Sequence, residues 1–468
     1  MSVESSRKYT LIAATVASFL TPFMGSAINL AVPSIGSEFG ITAFLLNWVV
    51  TSYILASAAF LLPFGRIADI VGRKKVFMLG ILFFAISSAL CGLSRSIEML
   101  IFCRVLQGIA SAMVFGTAVA ILTSAFPTHQ RGHVLGINTA SVYLGLSLGP
   151  VLGGGMNHYL GWRSIFFFVG ILGVMVLLLV FTRLSGEWVG SENEKFDVPG
   201  SFLYLVGLAS LMYGVSSLTN VWWAKYVFLV GLVLISIFIY VETRVASPLL
   251  DVTLFTHNIT FTFSNLAALV NYSATFAVTF LLSIFLQVVK GFNSQEAGII
   301  LLSQPVVMAL LSPLAGNLSD RVEPRRVASA GMALTAAALP AFAFLNEGTP
   351  IMLLVGELVL LGVGLALFSS PNTNAVMGSV ARRYFGVAAS AIGTMRLVGQ
   401  TVSMAVVTLV MTRFLGSLEL NAAPRELLLG STRMSFLFFS LLCFLGIFAS
   451  LARGNIRVEG EGALEKRN

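Results

Sequence analysis

Charge is the scarcest property of this sequence. Asp, Glu, Lys and Arg together make up 10% of its 468 residues, where a soluble domain carries about 25%. With 57% hydrophobic residues and a mean hydropathy of +0.92, a water-soluble fold is excluded. Cysteine is nearly absent: Cys91, Cys103 and Cys443 all lie in apolar stretches without metal or disulfide spacing and read as packing residues. The four histidines, His129, His133, His158 and His257, fall in loops or at span ends and make no metal set. No Gly-Lys dipeptide occurs, so the phosphate-cradling loop of an ATP-driven pump is missing from this chain. These absences argue against a membrane-embedded enzyme, imply no cofactor and no metal, and leave transport to a gradient or a separate subunit.

What is abundant is the apolar run long enough to cross a bilayer, about 20 residues. Such runs predict an all-α integral membrane protein with helices near 9–32, 44–64, 76–93, 98–122, 133–155, 164–182, 199–219, 225–242, 259–288, 297–317, 327–346, 350–371, 386–412 and 433–452, fourteen in all. The net charge of +8 does not point to nucleic acid, because the cations sit in short clusters between spans. Of the 28 Lys and Arg, 19 fall on one set of alternate loops and 7 on the other, with Arg104 and Arg396 inside spans. That bias places both termini in the cytoplasm. The first span follows Arg7 and Lys8 and is too long for a cleaved signal core.

Two loops repeat one pattern. GRIADIVGRKK carries Gly65, Asp69, Arg73, Lys74 and Lys75, and GNLSDRVEPRR carries Gly316, Asp320, Arg325 and Arg326. Gly65 would let two helices approach, Asp69 would cap or pair across the loop, and the basic end would anchor at an anionic membrane surface. Such a duplication is the symmetry on which secondary transporters are built.

These residues resemble the major facilitator superfamily, and the second copy follows the tenth helix, as in its 14-spanning drug:proton antiporter family. FDVPG (Phe196 to Gly200), SPLLDVTLF (Ser247 to Phe255) and FLQVVKGFNSQEAG (Phe285 to Gly298) resemble the same family. The resemblance implies a major facilitator fold: a six-helix bundle over 1–184, two extra helices with linkers over 185–258, a second bundle over 259–453 and a cytoplasmic tail at 454–468. Asp69 and Asp320 would latch the cytoplasmic face, and substrate would bind between helices 1, 4, 9 and 12.

Inside the membrane, helix 4 places Arg104, Gln107, Gly108 and Ser111 on one face. An arginine there costs roughly 2.5–3.5 kcal/mol on insertion scales and must face protein or water. The resemblance assigns Arg104 to proton coupling; a structural anchor is the alternative. Helix 5 repeats Gly145, Gly149 and Gly153 every four residues, a strip for close packing, with Pro150 freeing a carbonyl. With Gly154, the string resembles a signature of exporters. Glu357 is the one acidic residue well inside a span and is the first candidate proton site; a water-facing carboxylate or a structural partner for an arginine is the alternative. Arg396 pairs with Glu357 or with carbonyls near the SSPNTN stretch (Ser369 to Asn374), read as a discontinuity. Asn29, Asn265, Asn271, Tyr272, Asn372 and Gln400 are polar cavity candidates.

The sequence departs from the family where Met24 replaces an expected aspartate and Val169 an expected asparagine. Two intramembrane arginines against one carboxylate favour neutral or anionic amphiphiles over dicationic drugs. The expectation is a monomeric, proton-coupled exporter of lipophilic or amphipathic drug-like compounds, exchanging them for protons in a prokaryotic inner membrane. An exporter of one metabolite or anion is the alternative, and a non-transporting sensor a more distant one.

Overall fold

The computed structural model describes residues 3–39, 43–184, 186–191, 194–217, 221–415 and 424–454. The side chain of Asn29 and the tail beyond 454 lie outside the described residues. The first eight long helices are α1 (Val3–Phe39), α2 (Ala43–Val71), α3 (Arg73–Gly92), α4 (Ile97–Ala125), α5 (Arg131–Leu160), α6 (Arg163–Arg183), α7 (Val198–Ser217) and α8 (Ala224–Glu242). After a short turn of helix at Thr253–Thr256 come α9 (Ile259–Val289), α10 (Ser294–Leu301 and Ser303–Arg321), α11 (Pro324–Phe342), α12 (Ile351–Gly378), α13 (Phe385–Leu415) and α14 (Arg425–Ala452).

Among the described residues thirteen of these are long and apolar enough to cross a membrane. The other is α11, at the expected 327–346 span. It opens on Pro324, Arg325 and Arg326 and is rich in small alanine side chains, yet it packs against α12 and α14 as a bundle helix does.

Caps and glycines punctuate the helices. Ser96 Oγ accepts from Met99 N–H at the start of α4, Asn258 Oδ1 from Phe261 N–H at the start of α9, and Asn293 and Glu296 form a reciprocal cap on α10. Gly72 alone separates α2 from α3, at φ 123°, a conformation that L side chains rarely adopt.

Helices α1–α6 pack into one bundle and α9–α14 into a second. The α7–α8 hairpin lies outside both, with α7 touching α2 of the first and α13 of the second. Burial follows this layout: 78% of the apolar window of α4 is buried but only 17% of that of α8, whose Leu229, Val233 and Tyr240 are exposed to the surroundings a bilayer would fill. The glycine strip works as expected. A Cβ at Gly145 would lie 2.5 Å from the Phe19 carbonyl, one at Gly149 1.8 Å from Ser26 Oγ and one at Gly153 2.6 Å from Ala27 Cβ, so α5 rests directly on α1.

Two local expectations are corrected. The SSPNTN stretch, read as a discontinuity, lies inside continuous α12, with Pro371 and Asn372 buried. The interruption is in α9 instead, at Phe276 and Ala277, followed by a π turn over Phe285–Val289.

Candidate functional site

Where the bundles meet, five helices leave a small central cavity of about 40 Å³. Each contributes residues at helical spacing: Phe115 and Val119 from α4, Leu135, Asn138, Thr139, Val142 and Tyr143 from α5, Tyr272 from α9, Ser369 and Thr373 from α12, and Ala389, Ile392, Gly393 and Arg396 from α13. The volume suffices for water, whereas drug-sized ligands need about 300–1,000 Å³. The bundles are therefore closed around this point.

Arg396 is the cation of the cavity. Its guanidinium lies 4.1 Å from the Phe115 ring centroid, across the bundle boundary, and its buried Nε has no hydrogen-bond partner. Asn138 Oδ1 is likewise buried and unpartnered. Tyr272 O–H and Ser369 Oγ share a hydrogen bond of 3.2 Å. Among the described residues no Asp or Glu lines the cavity. Arginine with tyrosine hydroxyls and a free amide oxygen can hold a polar or anionic group, while the phenyl and aliphatic walls accept an apolar body.

The other intramembrane arginine is built differently. Arg104 donates through Nε to the Val49 carbonyl (2.8 Å) and through Nη1 to Gln107 Oε1 (2.6 Å), and Gln107 Nε2 donates to Ser88 Oγ (2.7 Å). The guanidinium stacks 4.3 Å from the Tyr53 ring centroid, and Tyr53 O–H donates to Ser111 Oγ. The shared face of Arg104, Gln107, Gly108 and Ser111 thus packs on α2 and α3 inside the first bundle, away from the cavity.

The candidate residues do not assemble as the sequence suggested. Of the cavity candidates, Tyr272 and Arg396 line it; Glu357, Arg104, Gln107, Asn271 and Asn372 do not. Glu357 is half-buried on the face of α12 that carries exposed Leu353 and Leu360, with Oε2 unpartnered, and no ion pair joins it to Arg396 among the described residues. Asn271 is fully buried with both side-chain polar atoms unpartnered. Asn372 is a structural tie: its Oδ1 accepts from Arg453 Nη1 (2.7 Å) and its Nδ2 donates to the Ser264 carbonyl (3.2 Å). Arg453, read from sequence as a loop cation, is 0% exposed.

The duplicated loops form two latches between the bundles. Gly386 N–H and Val387 N–H, the first turn of α13, donate to Asp69 Oδ1 and Oδ2 at 2.9 and 3.0 Å. In mirror fashion, Gly132 N–H and His133 N–H at the start of α5 donate to Asp320 Oδ1 and Oδ2 at 2.7 and 2.8 Å. A carboxylate at a helix N-terminus satisfies orphan amides and the helix dipole. The glycines explain how helices of opposite bundles come so close: a Cβ at Gly65 would lie 2.5 Å from the Gly386 carbonyl, and one at Gly316 2.0 Å from that of Gly132.

Of the basic ends of the two loops, Arg73 departs from the surface-anchor expectation, while Lys75 and Arg326 are exposed. Arg73 is 2% exposed; its Nε and Nη2 donate to Asp69 Oδ1 at 2.9 and 2.7 Å, and its Nη1 donates to Ser124 Oγ. Lys74 and Lys75 open α3, and their N–H groups donate to the Glu187 carboxylate. Arg325 and Arg326 open α11, half-exposed and exposed. The α6–α7 linker covers the first latch, where Gly190 N–H and Ser191 N–H donate to the Asp69 carbonyl, a contact that no sequence signal announces.

The comparisons agree with this geometry. The model of the Major Facilitator Superfamily matches residues 14–270 and 264–466. The chain is 31% identical to the riboflavin transporter RibZ of Clostridioides difficile over 82% of its own length and 84% of the relative's. It is 30% identical to the multidrug resistance protein Stp of Mycobacterium tuberculosis (87% and 76%) and 32% identical to the cephamycin export protein CmcT of Amycolatopsis lactamdurans (86% and 85%). The crystal structure of the human organic anion transporter MFSD10 (TETRAN) superposes with a TM-score of 0.67 at 15% identity, over 95% of this chain and 99% of that one. The chain therefore belongs to the Major Facilitator Superfamily and is an integral membrane transporter, not an enzyme.

Proposed function

We propose that the protein is a proton-coupled exporter of amphipathic compounds with an apolar body and a neutral or anionic polar group. The observation that carries this reading is Arg396, with an unpartnered buried Nε, in an interbundle cavity lined by aromatic rings and no carboxylate. A desolvated cation in such a site discriminates against organic cations and attracts carboxylate or carbonyl oxygens. Export rather than uptake is supported by the Gly145–Gly149–Gly153 strip seated on α1 and by multidrug resistance and export proteins among the relatives.

The latch face, where α2 ends and α3 begins, is read as cytoplasmic, α11 as the fourteenth crossing, and the working unit as a monomer in a prokaryotic cell membrane. The present state is then closed to the cytoplasm, and opening inward requires Asp69 and Asp320 to leave the helix termini they cap. Glu357 is assigned the coupling proton. It stands outside the cavity, so the coupling acts through α12, which carries Glu357 on one face and Ser369 and Thr373 on another. The test is flux in proteoliposomes under an imposed pH gradient, with matched amphipathic anions, neutral compounds and cations. Compound-driven proton flux that favours anions, and that Glu357→Gln abolishes, is the expected result; flux with cations only would overturn the substrate class, and flux unchanged in Glu357→Gln the coupling site.

A further inference from the structure

We propose that Asp197 and Glu242 form a proton site in the α7–α8 hairpin, outside the central cavity, with the two carboxyl groups sharing one proton. Asp197 lies in the FDVPG turn just before α7 and Glu242 ends α8; they are 8% and 3% exposed. Gly200 stands between them. A Cβ added there would lie 2.1 Å from Asp197 Oδ2 and 2.4 Å from Glu242 Oε1, so those oxygens are at most the sum of the two distances, 4.5 Å, apart. Both facing oxygens are buried and unpartnered. Their sister oxygens are engaged: Gly200 N–H donates to Asp197 Oδ1 and Leu250 N–H to Glu242 Oε2, each at 3.0 Å.

Two ionised carboxylates offer only acceptors, and facing each other in a buried site they repel. One proton converts one oxygen into a donor and satisfies both. Among the described residues no ion pair joins a cation to either carboxylate. Around the pair the linker contributes Glu194, paired with Arg66 of α2, and Lys195; past α8 come Arg244, over the Tyr240 ring, and Asp251, which accepts from Tyr384 O–H. On the elements that α7 packs against, Asp69 is held by Arg73, and Arg396 lies over Phe115. An adjoining cavity of about 290 Å³, lined by Lys195, Asp197, Pro199, Val245 and Ser247, opens beside the pair.

The site has a structural consequence. Glu242 grips Leu250 N–H, Leu249 is fully buried among Tyr204, Leu62 and Val387, and Asp251 bonds Tyr384 at the start of α13. The protonated pair therefore clamps the hairpin onto the chain segment leading into the second bundle.

The experiment uses the full chain in detergent: thermal unfolding against pH for wild type, Glu242→Gln and Asp197→Asn, with infrared detection of protonated carboxyl groups. The unfolded carboxylates lose their protons near pH ~4, while the folded pair keeps one. Stability therefore declines as pH rises above that range and levels off once the folded pair has ionised. The wild-type midpoint is expected to fall by a few degrees across this window. Either variant supplies an amide donor to the remaining carboxylate, and it should flatten that decline and remove one protonated-carboxyl band. An equal slope in both variants and wild type, no lost band, or stabilisation of wild type by sodium or calcium ions would overturn the proposal. Should one variant fail to fold, the other gives the same readout.

Discussion

Arg104 and Arg396 share one setting in the sequence, a lone cation in a hydrophobic helix, and opposite settings in the molecule. Arg104 directs Nε and Nη1 inside its own bundle, to the Val49 carbonyl and Gln107, stacks on Tyr53 of that bundle, and leaves Nη2 buried without a partner. Arg396 stacks across the boundary on Phe115 and keeps an unpartnered Nε at the cavity. The difference shows what separates a structural ion from a binding one. Each keeps an unpartnered nitrogen, and the difference lies in place: the first is tied by two hydrogen bonds inside its own bundle, away from the cavity, whereas the second presents its free donor where the bundles meet.

Variants can sharpen or break this contrast. The largest effect on substrate affinity is expected from Arg396→Gln, which removes a charge-assisted contact worth about 1.5–3 kcal/mol. The apparent affinity for an anionic substrate should fall about 10- to 100-fold in counterflow assays, with the melting midpoint nearly unchanged. Arg104→Ala should do the reverse. Stranding Gln107 costs about 1–3 kcal/mol, so the midpoint drops while the folded fraction keeps its affinity.

The two latches repeat the contrast with carboxylates. Asp69→Asn strands buried Arg73, a loss of about 3–5 kcal/mol for a buried pair, and should raise thiol labelling at Ser390→Cys, the position under Gly65. Asp320→Asn, at a half-exposed latch, should raise it less. The smallest effect belongs to Glu38, which ties the end of α1 to the start of α6. Its carboxyl is held below the ordinary value by the Trp162 indole N–H, which with Arg163 outweighs a modest burial penalty. A depressed carboxyl stabilises above its unfolded value, so this contribution should fade as pH falls through the folded value. Glu38→Gln should remove that part of the acid sensitivity of the melting curve.

The fold was legible because its signals are local: apolar runs set the spans, the glycine strip of α5 announced a close helix contact, and the repeated Gly and Asp marked the two loops. Even so, Asp69 reaches α13, more than 300 positions away in sequence, a partner no local pattern names. The site was half legible. Tyr272 and Arg396 were expected, whereas Asn138, Thr139 and Tyr143 were missed, although with Leu135 and Val142 they form a stripe on α5 that sequence spacing could have shown. That Glu357 stands outside the cavity and that Arg453 is covered were not legible, for a physical reason. Which face of α12 looks inward, and whether a cation at a helix end is covered, depend on how distant helices pack.

The most direct measurement is counterflow of an amphipathic carboxylate and its neutral amide in proteoliposomes, for wild type and Arg396→Gln. Loss of the carboxylate signal with the amide signal retained is what the account predicts. Equal transport of both by the variant, or equal loss of both from a well-folded variant, would contradict it.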